Sequence, residues 1–138
     1  MAWVALAPAA GNGYQSITHY WDCCMPSCGW DQGQGADRIP IKTMCNIDGS
    51  KAGKSGIDTQ SACDQGGQAG VIMCPDQQPF FDKASQQWMG FVASQDTGQL
   101  GDCCDCYSLT FNTSQKMTVQ ITNHGQVAGV FDLLVPGG

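Results

Sequence analysis

The chain has 138 residues, which is enough for one domain with its own core and too few for two typical ones. Its formal net charge is −6, from 12 acidic and 6 basic residues with no Lys/Arg cluster, which excludes a nucleic-acid binder of the usual basic kind. No apolar run approaches the roughly 18 residues of a transmembrane helix, so we expect no membrane partner.

Nine cysteines are far more than cytosolic proteins of this size usually carry. They indicate an oxidising compartment and a framework of disulfides, and we therefore predict a secreted, extracellular protein. Nine is an odd number, so at least one thiol has no partner within the chain. Sparse charge and abundant Gly, Gln, Ser, Thr and Asn favour a neutral, polar ligand.

Residues 1–15 are predicted to be a leader or the remnant of a signal peptide, because MAWVALAPAAG is apolar and ends in small residues. A frayed N-terminus is the alternative, since the segment lacks basic residues. The predicted domain spans residues 16–138.

The next segment, YWDCCMPSCGW from Tyr20 to Trp30, places one aspartate among three cysteines and three aromatic residues. In an extended segment Tyr20 and Asp22 point to one face and Trp21 to the other. A fixed carboxylate beside aromatic rings is typical of a site that cleaves sugars, because the rings stack on pyranoses. An aspartate that caps a turn is the alternative, and the residue types alone do not decide between them.

The middle of the chain combines glycine-rich loops with one helical pattern. Residues 31–70 are predicted to form long loops pinned by disulfides at Cys45 and Cys63. Pro79 to Ser94 is predicted to form a short helix with Asp82 as its N-cap, because apolar residues recur there at helical spacing.

The last third alternates apolar and polar residues, which predicts three strands at 107–111, 117–121 and 130–135. A hairpin turn is expected between the first two, at 112–115. Short strands, cross-linked loops and one helix together predict a small, mostly β barrel.

Asp132 is a second candidate for chemistry, since it stands inside the apolar strand VFDLLV. It either faces solvent on the polar side of the strand, or it is desolvated and suited to act as a general acid. Two carboxylates that flank a glycosidic bond are the minimum equipment for its hydrolysis, which pairs Asp132 with Asp22.

Other chemistries fit the sequence less well. Adjacent Cys-Cys pairs favour disulfides over zinc, and no cofactor motif is present, so we predict no metal and no cofactor. His19 and His124 have no fixed relation to any cysteine, and we interpret both as surface residues.

The motif THYWDCCMPSCGW at Thr18–Trp30 resembles the signature of glycoside hydrolase family 45, the small secreted endoglucanases. His19 and Met25 replace the basic residues usual there. The stretches Gly66–Asp82 and Cys103–Phe111 resemble later parts of the same family's sequence, and the resemblance covers nearly everything after the leader.

The resemblance implies a six-stranded double-psi β-barrel with long disulfide-bonded loops and an open groove for substrate. It implies hydrolysis of internal β-1,4-glucosidic bonds with inversion, with Asp22 as general base and Asp132 as general acid. Thr18, Tyr20 and Trp30 would bind substrate beside them. The partner would be cellulose or a related β-1,4-glucan, bound by a monomer.

By the same resemblance, six cysteines form three disulfides, Cys24–Cys63, Cys28–Cys103 and Cys45–Cys74. Cys23, Cys104 and Cys106 would then pair with cysteines beyond Gly138, because family members continue past that point. We therefore expect a partial catalytic domain or an unusually short member of the family.

One feature counts against a simple transfer of activity, and one other class of protein shares the fold. Val127, in the predicted loop at 125–129, stands where the family carries an aspartate that assists catalysis, so activity could differ in detail. Expansin-like proteins share the barrel and bind wall polysaccharide without efficient hydrolysis, which makes a binding module the alternative function. Such chains tend to lack a counterpart of Asp22, and this difference favours the enzyme.

Overall fold

The structure is a computed structural model that describes residues 2–6, 14–21, 23–29, 44–52, 60–95, 103–111, 113–128 and 130–136. Within these residues, ten strands lie in two sheets. In chain order they are β1 (Ala2–Leu6), β2 (Tyr14–Tyr20), β3 (Met44–Asn46), β4 (Lys51–Ala52), β5 (Val71–Met73), β6 (Phe80–Asp82), β7 (Gln87–Gln95), β8 (Cys106–Phe111), β9 (Lys116–Ala128) and β10 (Val130–Leu134). Within these described residues, no helix is long and apolar enough to cross a membrane.

The larger sheet closes on itself. Its strand order is β10-β2-β1-β8-β9-β7-β6, and β10 also pairs with β7, so six strands form a ring with β6 attached outside it. The pairs β2–β10 and β7–β9 are parallel, and the other pairs are antiparallel. This ring confirms the predicted mostly β fold with a six-stranded double-psi barrel.

The core of the barrel follows from the alternation of side chains along its strands. Phe131 on β10 is 1% exposed, and its ring lies 5.5 Å from that of Tyr107 on β8. The buried residues of this cluster come from four strands and one disulfide: Cys28, Val92, Leu109, Val119, Ile121 and Phe131.

The three strands predicted in the last third of the chain are confirmed as β8, β9 and β10. The turn between the first two is also present, with the Ser114 N–H donating to the Phe111 carbonyl at 2.8 Å. The predicted loop at 125–129 differs, because β9 continues through Ala128 and pairs there with Gln95 after register shifts. Asn112 and Gly129 lie outside the described residues.

The helix predicted over Pro79–Ser94 is wrong. The stretch forms an antiparallel hairpin of β6 and β7, in which Phe81 lies opposite Trp88. The described residues contain only two short 3₁₀ helices, Ser27–Gly29 and Ala62–Gln65, and no α-helix.

Asp82 explains why the helical interpretation failed. Its carboxylate accepts hydrogen bonds from the backbone N–H groups of Ala84 and Ser85 at 3.2 and 3.0 Å, as an N-cap would. Gln86 then takes a left-handed conformation with φ of 56°, which turns the chain back instead of continuing a helix.

The N-terminal segment, predicted to be a leader or the remnant of a signal peptide, contributes a strand to the larger sheet. Ala2–Leu6, assigned to a leader, forms β1 and pairs with both β2 and β8. The predicted domain boundary at residue 16 falls inside β2.

The smaller sheet has the strand order β4-β3-β5, and all three of its strands lie between residues 44 and 74. Met25, Met44 and Val71 form a buried cluster beneath it. A second cluster surrounds Cys45 and Cys74, which are 1% and 0% exposed. Residues 31–43 and 53–59, part of the predicted loops, lie outside the described residues.

Three disulfides join these parts, and they are the three expected from the resemblance: Cys24–Cys63, Cys28–Cys103 and Cys45–Cys74. Cys23, Cys104 and Cys106 take no part in them. The first and third disulfides tie the smaller sheet and its flanking segments together. The second attaches the 3₁₀ helix at Ser27–Gly29 to the segment that precedes β8.

Candidate active site

Asp132 lies at the middle of β10, with a strand of the barrel on each side. Its cross-strand neighbours are Thr18 on β2 and Ala93 on β7. Phe131 points into the core, so Asp132 is directed to the other face of the strand, where it is half-buried. The carboxylate is therefore neither fully exposed nor fully desolvated.

A hydrogen bond fixes the Asp132 carboxyl group. The Thr18 hydroxyl donates to Asp132 Oδ1 at 2.7 Å, although the two residues are 114 positions apart in sequence. The parallel pairing of β2 with β10 places them side by side. Two residues from separate sequence motifs thus meet at one point on the barrel surface.

Asp22 and Trp30, the predicted base and the predicted stacking residue, lie outside the described residues. The structure therefore describes the surroundings of Asp132, Thr18 and Tyr20 among the predicted site residues.

Tyr20 ends β2 and is held at both its backbone and its side chain. Its carbonyl accepts a hydrogen bond from the Val135 N–H at 3.0 Å. Its hydroxyl accepts from Asn123 Nδ2 at 3.3 Å and lies 3.5 Å from the sulfur of Met73. The phenol is thus fixed on the same strand as Thr18, two positions further along.

Asn123 extends the site across the sheet, and no motif or pattern in the sequence selected it. It pairs with Ala93 on β7, which in turn pairs with Asp132. Since neighbouring strands lie about 4.8 Å apart, Asn123 stands about 10 Å from Asp132 on this path. Asn123 also accepts a hydrogen bond from the Ser27 N–H at 2.7 Å, which ties the 3₁₀ helix to β9.

His124 was interpreted as a surface residue, and it is exposed. It nevertheless has a defined partner. Its N–H donates to Ser27 Oγ at 2.7 Å, and its Nδ1 lies 2.9 Å from the same oxygen. No local sequence signal could have indicated this contact, since the two residues are 97 positions apart.

One group of ligand-type side chains within the described part of the chain is compact enough to consider for a metal. Cys28 Sγ, Cys103 Sγ and a ring nitrogen of His124 lie within 4.8 Å of one another. Cys28 and Cys103 are joined in a disulfide, however, and zinc binds the thiolate form of cysteine. The group is therefore better explained as a cross-link with a neighbouring histidine.

Comparison with known proteins defines the class of the fold and site. The family model described as glycosyl hydrolase family 45 matches residues 14–138. This chain belongs to that family.

Curated relatives are named as endoglucanases. The chain is 41% identical to an endoglucanase of Cryptopygus antarcticus, over 98% of this chain and 60% of that protein. It is 36% identical to an endoglucanase of Phaedon cochleariae, over 92% of this chain and 53% of that protein. The chain thus spans between half and two thirds of the length of these two relatives.

A solved structure supports the same relationship. The crystal structure of the cellulase from the Antarctic springtail Cryptopygus antarcticus aligns with a TM-score of 0.70 and 33% identity. The alignment covers 100% of this chain and 61% of the springtail protein. The fold is that of a family 45 cellulase.

Proposed function

We propose that this chain is an endo-β-1,4-glucanase, a cellulase, that hydrolyses internal β-1,4-glucosidic bonds with inversion. The observation that carries the proposal is the hydrogen bond from Thr18 to Asp132, which holds one carboxyl group in a fixed orientation on the barrel surface. Membership of family 45 and the names of the relatives support the same activity.

Asp132 acts as the general acid. Because the Thr18 hydroxyl donates to Oδ1, the proton of the neutral carboxylic acid is carried on Oδ2. Oδ2 then delivers this proton to the leaving glycosidic oxygen as the bond to the anomeric carbon breaks. Thr18 is a positioning residue for this step, since it acts through the carboxyl group of Asp132.

Asp22 acts as the general base. It removes a proton from a water molecule that attacks the anomeric carbon from the opposite face of the sugar ring. An inverting pair needs about 6.5–9.5 Å between the two carboxyl groups, to leave room for that water. The position of Asp22 in the THYWDCC motif, four residues after Thr18, supports the assignment.

Tyr20 and Trp30 bind the glucan chain beside the reacting bond. The support for Tyr20 is that its phenol is held by a hydrogen bond from Asn123. Tyr20 lies two residues after Thr18 on β2. Trp30 supplies a face on which a glucose ring stacks.

The location follows from the cross-links. Three disulfides persist in an oxidising environment, and a cellulose-degrading enzyme meets its substrate outside the cell. We therefore place the protein in the extracellular space. The two carboxyl groups carry the proposed reaction between them, and the proposal assigns it no cofactor.

The test measures viscosity loss and reducing-end release on carboxymethyl-cellulose. Asp22→Asn and Asp132→Asn should each lower the rate by about 100-fold or more, since each removes one proton-transfer group. The matched control is Asp105→Asn, which neutralises an exposed aspartate just before β8 and should retain activity. NMR of the first-formed product anomer reports inversion or retention.

Two results would contradict the proposal. Unchanged rates in either active-site variant would remove that residue from the chemistry. A folded wild-type protein that binds cellulose without releasing reducing ends would instead favour the expansin-like binding module.

A further inference from the structure

An open pocket lies at the far end of β7 from the candidate active site. Its volume is about 530 Å³, and it is formed between the start of β7 and the turn that joins β8 to β9. Trp88 is part of its lining, five residues before Ala93, the neighbour of Asp132 on β7. At about 3.3 Å per residue, the two places are separated by about 16 Å along the strand.

Trp88 presents an aromatic surface that the fold leaves in solvent. The side chain is 44% exposed, whereas a large aromatic residue of a small domain is usually far more buried. It is not loosely held, because the ring of Phe81 contacts it in an edge-on arrangement, with centroids 5.7 Å apart and planes at 68°. An exposed ring that is held in place can serve as a stacking surface.

The polar groups around Trp88 are neutral amides and hydroxyls with one cation. The described residues that line the pocket include no carboxylate, although the chain has a net charge of −6. The six polar side chains of the lining are Gln86, Gln87, Ser108, Ser114, Gln115 and Lys116. Such a surface suits a neutral ligand rich in hydroxyl groups, since it offers both donors and acceptors without repelling charge.

The amides are oriented in advance. Gln87 Oε1 accepts a hydrogen bond from the Thr118 hydroxyl at 3.2 Å, and Gln86 Nε2 donates to the Lys83 carbonyl at 2.7 Å. Gln87 Nε2 is thereby presented as a donor and Gln86 Oε1 as an acceptor. Groups that are already ordered lose less conformational entropy when a ligand binds.

Both turns that border the pocket have unusual backbone conformations. Gln86 and Ser114 have φ of 56° and 65°, a region that residues other than glycine rarely adopt. These left-handed residues reverse the chain at the two turns that border the pocket.

We propose that this pocket is a second glucan-binding site, in which Trp88 stacks on a glucose ring and the surrounding amides, hydroxyls and Lys116 bind its hydroxyl groups. The site holds a β-1,4-glucan chain at a distance from the bond that is cut, and so keeps the protein on an insoluble substrate. The proposal rests on the proposed function for the identity of the polymer, but it makes no use of Asp22 or Asp132.

The experiment measures depletion of the protein from solution by microcrystalline cellulose, in the Asp132→Asn background so that the polymer is not cut. Trp88→Ala should weaken binding by about fivefold to tenfold, and Trp88→Phe should lose less because it keeps an aromatic face. Phe80→Ala is the matched control. Phe80 is 46% exposed on the same hairpin but is not part of the pocket lining, and its removal should leave binding unchanged.

Thermal unfolding of each variant tests whether the barrel is intact. Hydrolysis of soluble carboxymethyl-cellulose is measured in parallel on the same Trp88 and Phe80 variants made in the protein that keeps Asp132. Trp88-dependent binding supports the site even if no variant hydrolyses the soluble polymer, a result that would defeat only the proposed catalysis. Equal binding by wild type and Trp88→Ala overturns the site, as does an equal loss in Phe80→Ala. Failure of the wild type to bind cellulose also overturns it.

Discussion

The barrel and the smaller sheet are stabilised in different ways. The barrel has a continuous apolar core contributed by β7, β8, β9 and β10, and the Cys28–Cys103 disulfide lies at its edge. The smaller sheet has three strands of three, two and three residues, with two small buried clusters and the disulfide Cys45–Cys74 inside it. A sheet so short cannot bury enough apolar surface to stabilise itself, and a covalent link substitutes for the missing core.

The largest stability effect should come from the barrel core. Phe131→Ala removes a ring that is 1% exposed and packs against Tyr107, and it should lower the free energy of unfolding by about 3–5 kcal/mol. Urea unfolding followed by tryptophan fluorescence measures this change. Phe80→Ala, which removes the same side chain from an exposed position, is the control and should cost less than about 0.5 kcal/mol. Similar losses in both variants would show that the barrel core is not the main source of stability.

Loss of the disulfide in the smaller sheet should lower the free energy of unfolding slightly less, and its effect should be confined to that sheet. Cys45→Ser with Cys74→Ser opens a cross-link between residues separated by 29 positions, which should cost about 3–4 kcal/mol through unfolded-chain entropy. Amide hydrogen exchange should increase at Met44–Asn46 and Val71–Met73, while β9 and β10 retain their protection. Uniform loss of protection across both sheets would mean that the two regions unfold as one unit.

The smallest effect is expected at the turn between β6 and β7, which lies outside the ring. Hydrogen bonds from the Ser85 side chain and from the backbone of Ser85 and Ala84 lower the pKa of Asp82 below its usual value. Asp82→Asn should therefore lower the melting temperature slightly at neutral pH, and by less than Phe131→Ala or the loss of the Cys45–Cys74 disulfide. A group with a lowered folded-state pKa stabilises above its unfolded pKa, and this contribution is lost as the pH falls through the folded value. The difference between the two proteins should thus shrink in acid, and a difference that grows in acid would contradict the assignment.

The parts of the fold that could be predicted are those where one local pattern has one structural meaning. Alternation of apolar and polar residues predicted β8, β9 and β10, because only a strand places such residues on opposite faces. The prediction of a helix failed between Asp82 and Trp88, because an aspartate accepts the same backbone hydrogen bonds in a helix N-cap and in a tight turn. The left-handed backbone of Gln86 decides in favour of the turn, and the neighbouring residue types do not predict this conformation.

The site divides in the same way. Thr18 and Tyr20 were selected because they stand in a motif that resembles that of family 45, and Asp132 was selected first as a carboxylate inside an apolar strand. The structure describes Thr18 in contact with Asp132. Asn123 was missed because it belongs to no recognisable motif, and its contact with Ser27 joins segments about a hundred residues apart. Ser27 stands inside the Thr18–Trp30 motif, but nothing in that motif marks it as a partner of Asn123 or His124. The three disulfides came from resemblance, because the spacing of nine cysteines does not by itself decide which six pair or how they pair.

The double pairing of β10 has a consequence for how the protein folds. This strand completes the ring by joining β2 and β7, and its contact with Thr18 spans 114 positions of the chain. A contact of such long range costs loop-closure entropy before it can stabilise the fold, and chains dominated by such contacts fold slowly. Asp132 therefore meets Thr18 only once the ring has closed. Recovery of the proposed hydrolytic activity during refolding would report this closure step, while fluorescence from partly collapsed chains would change earlier.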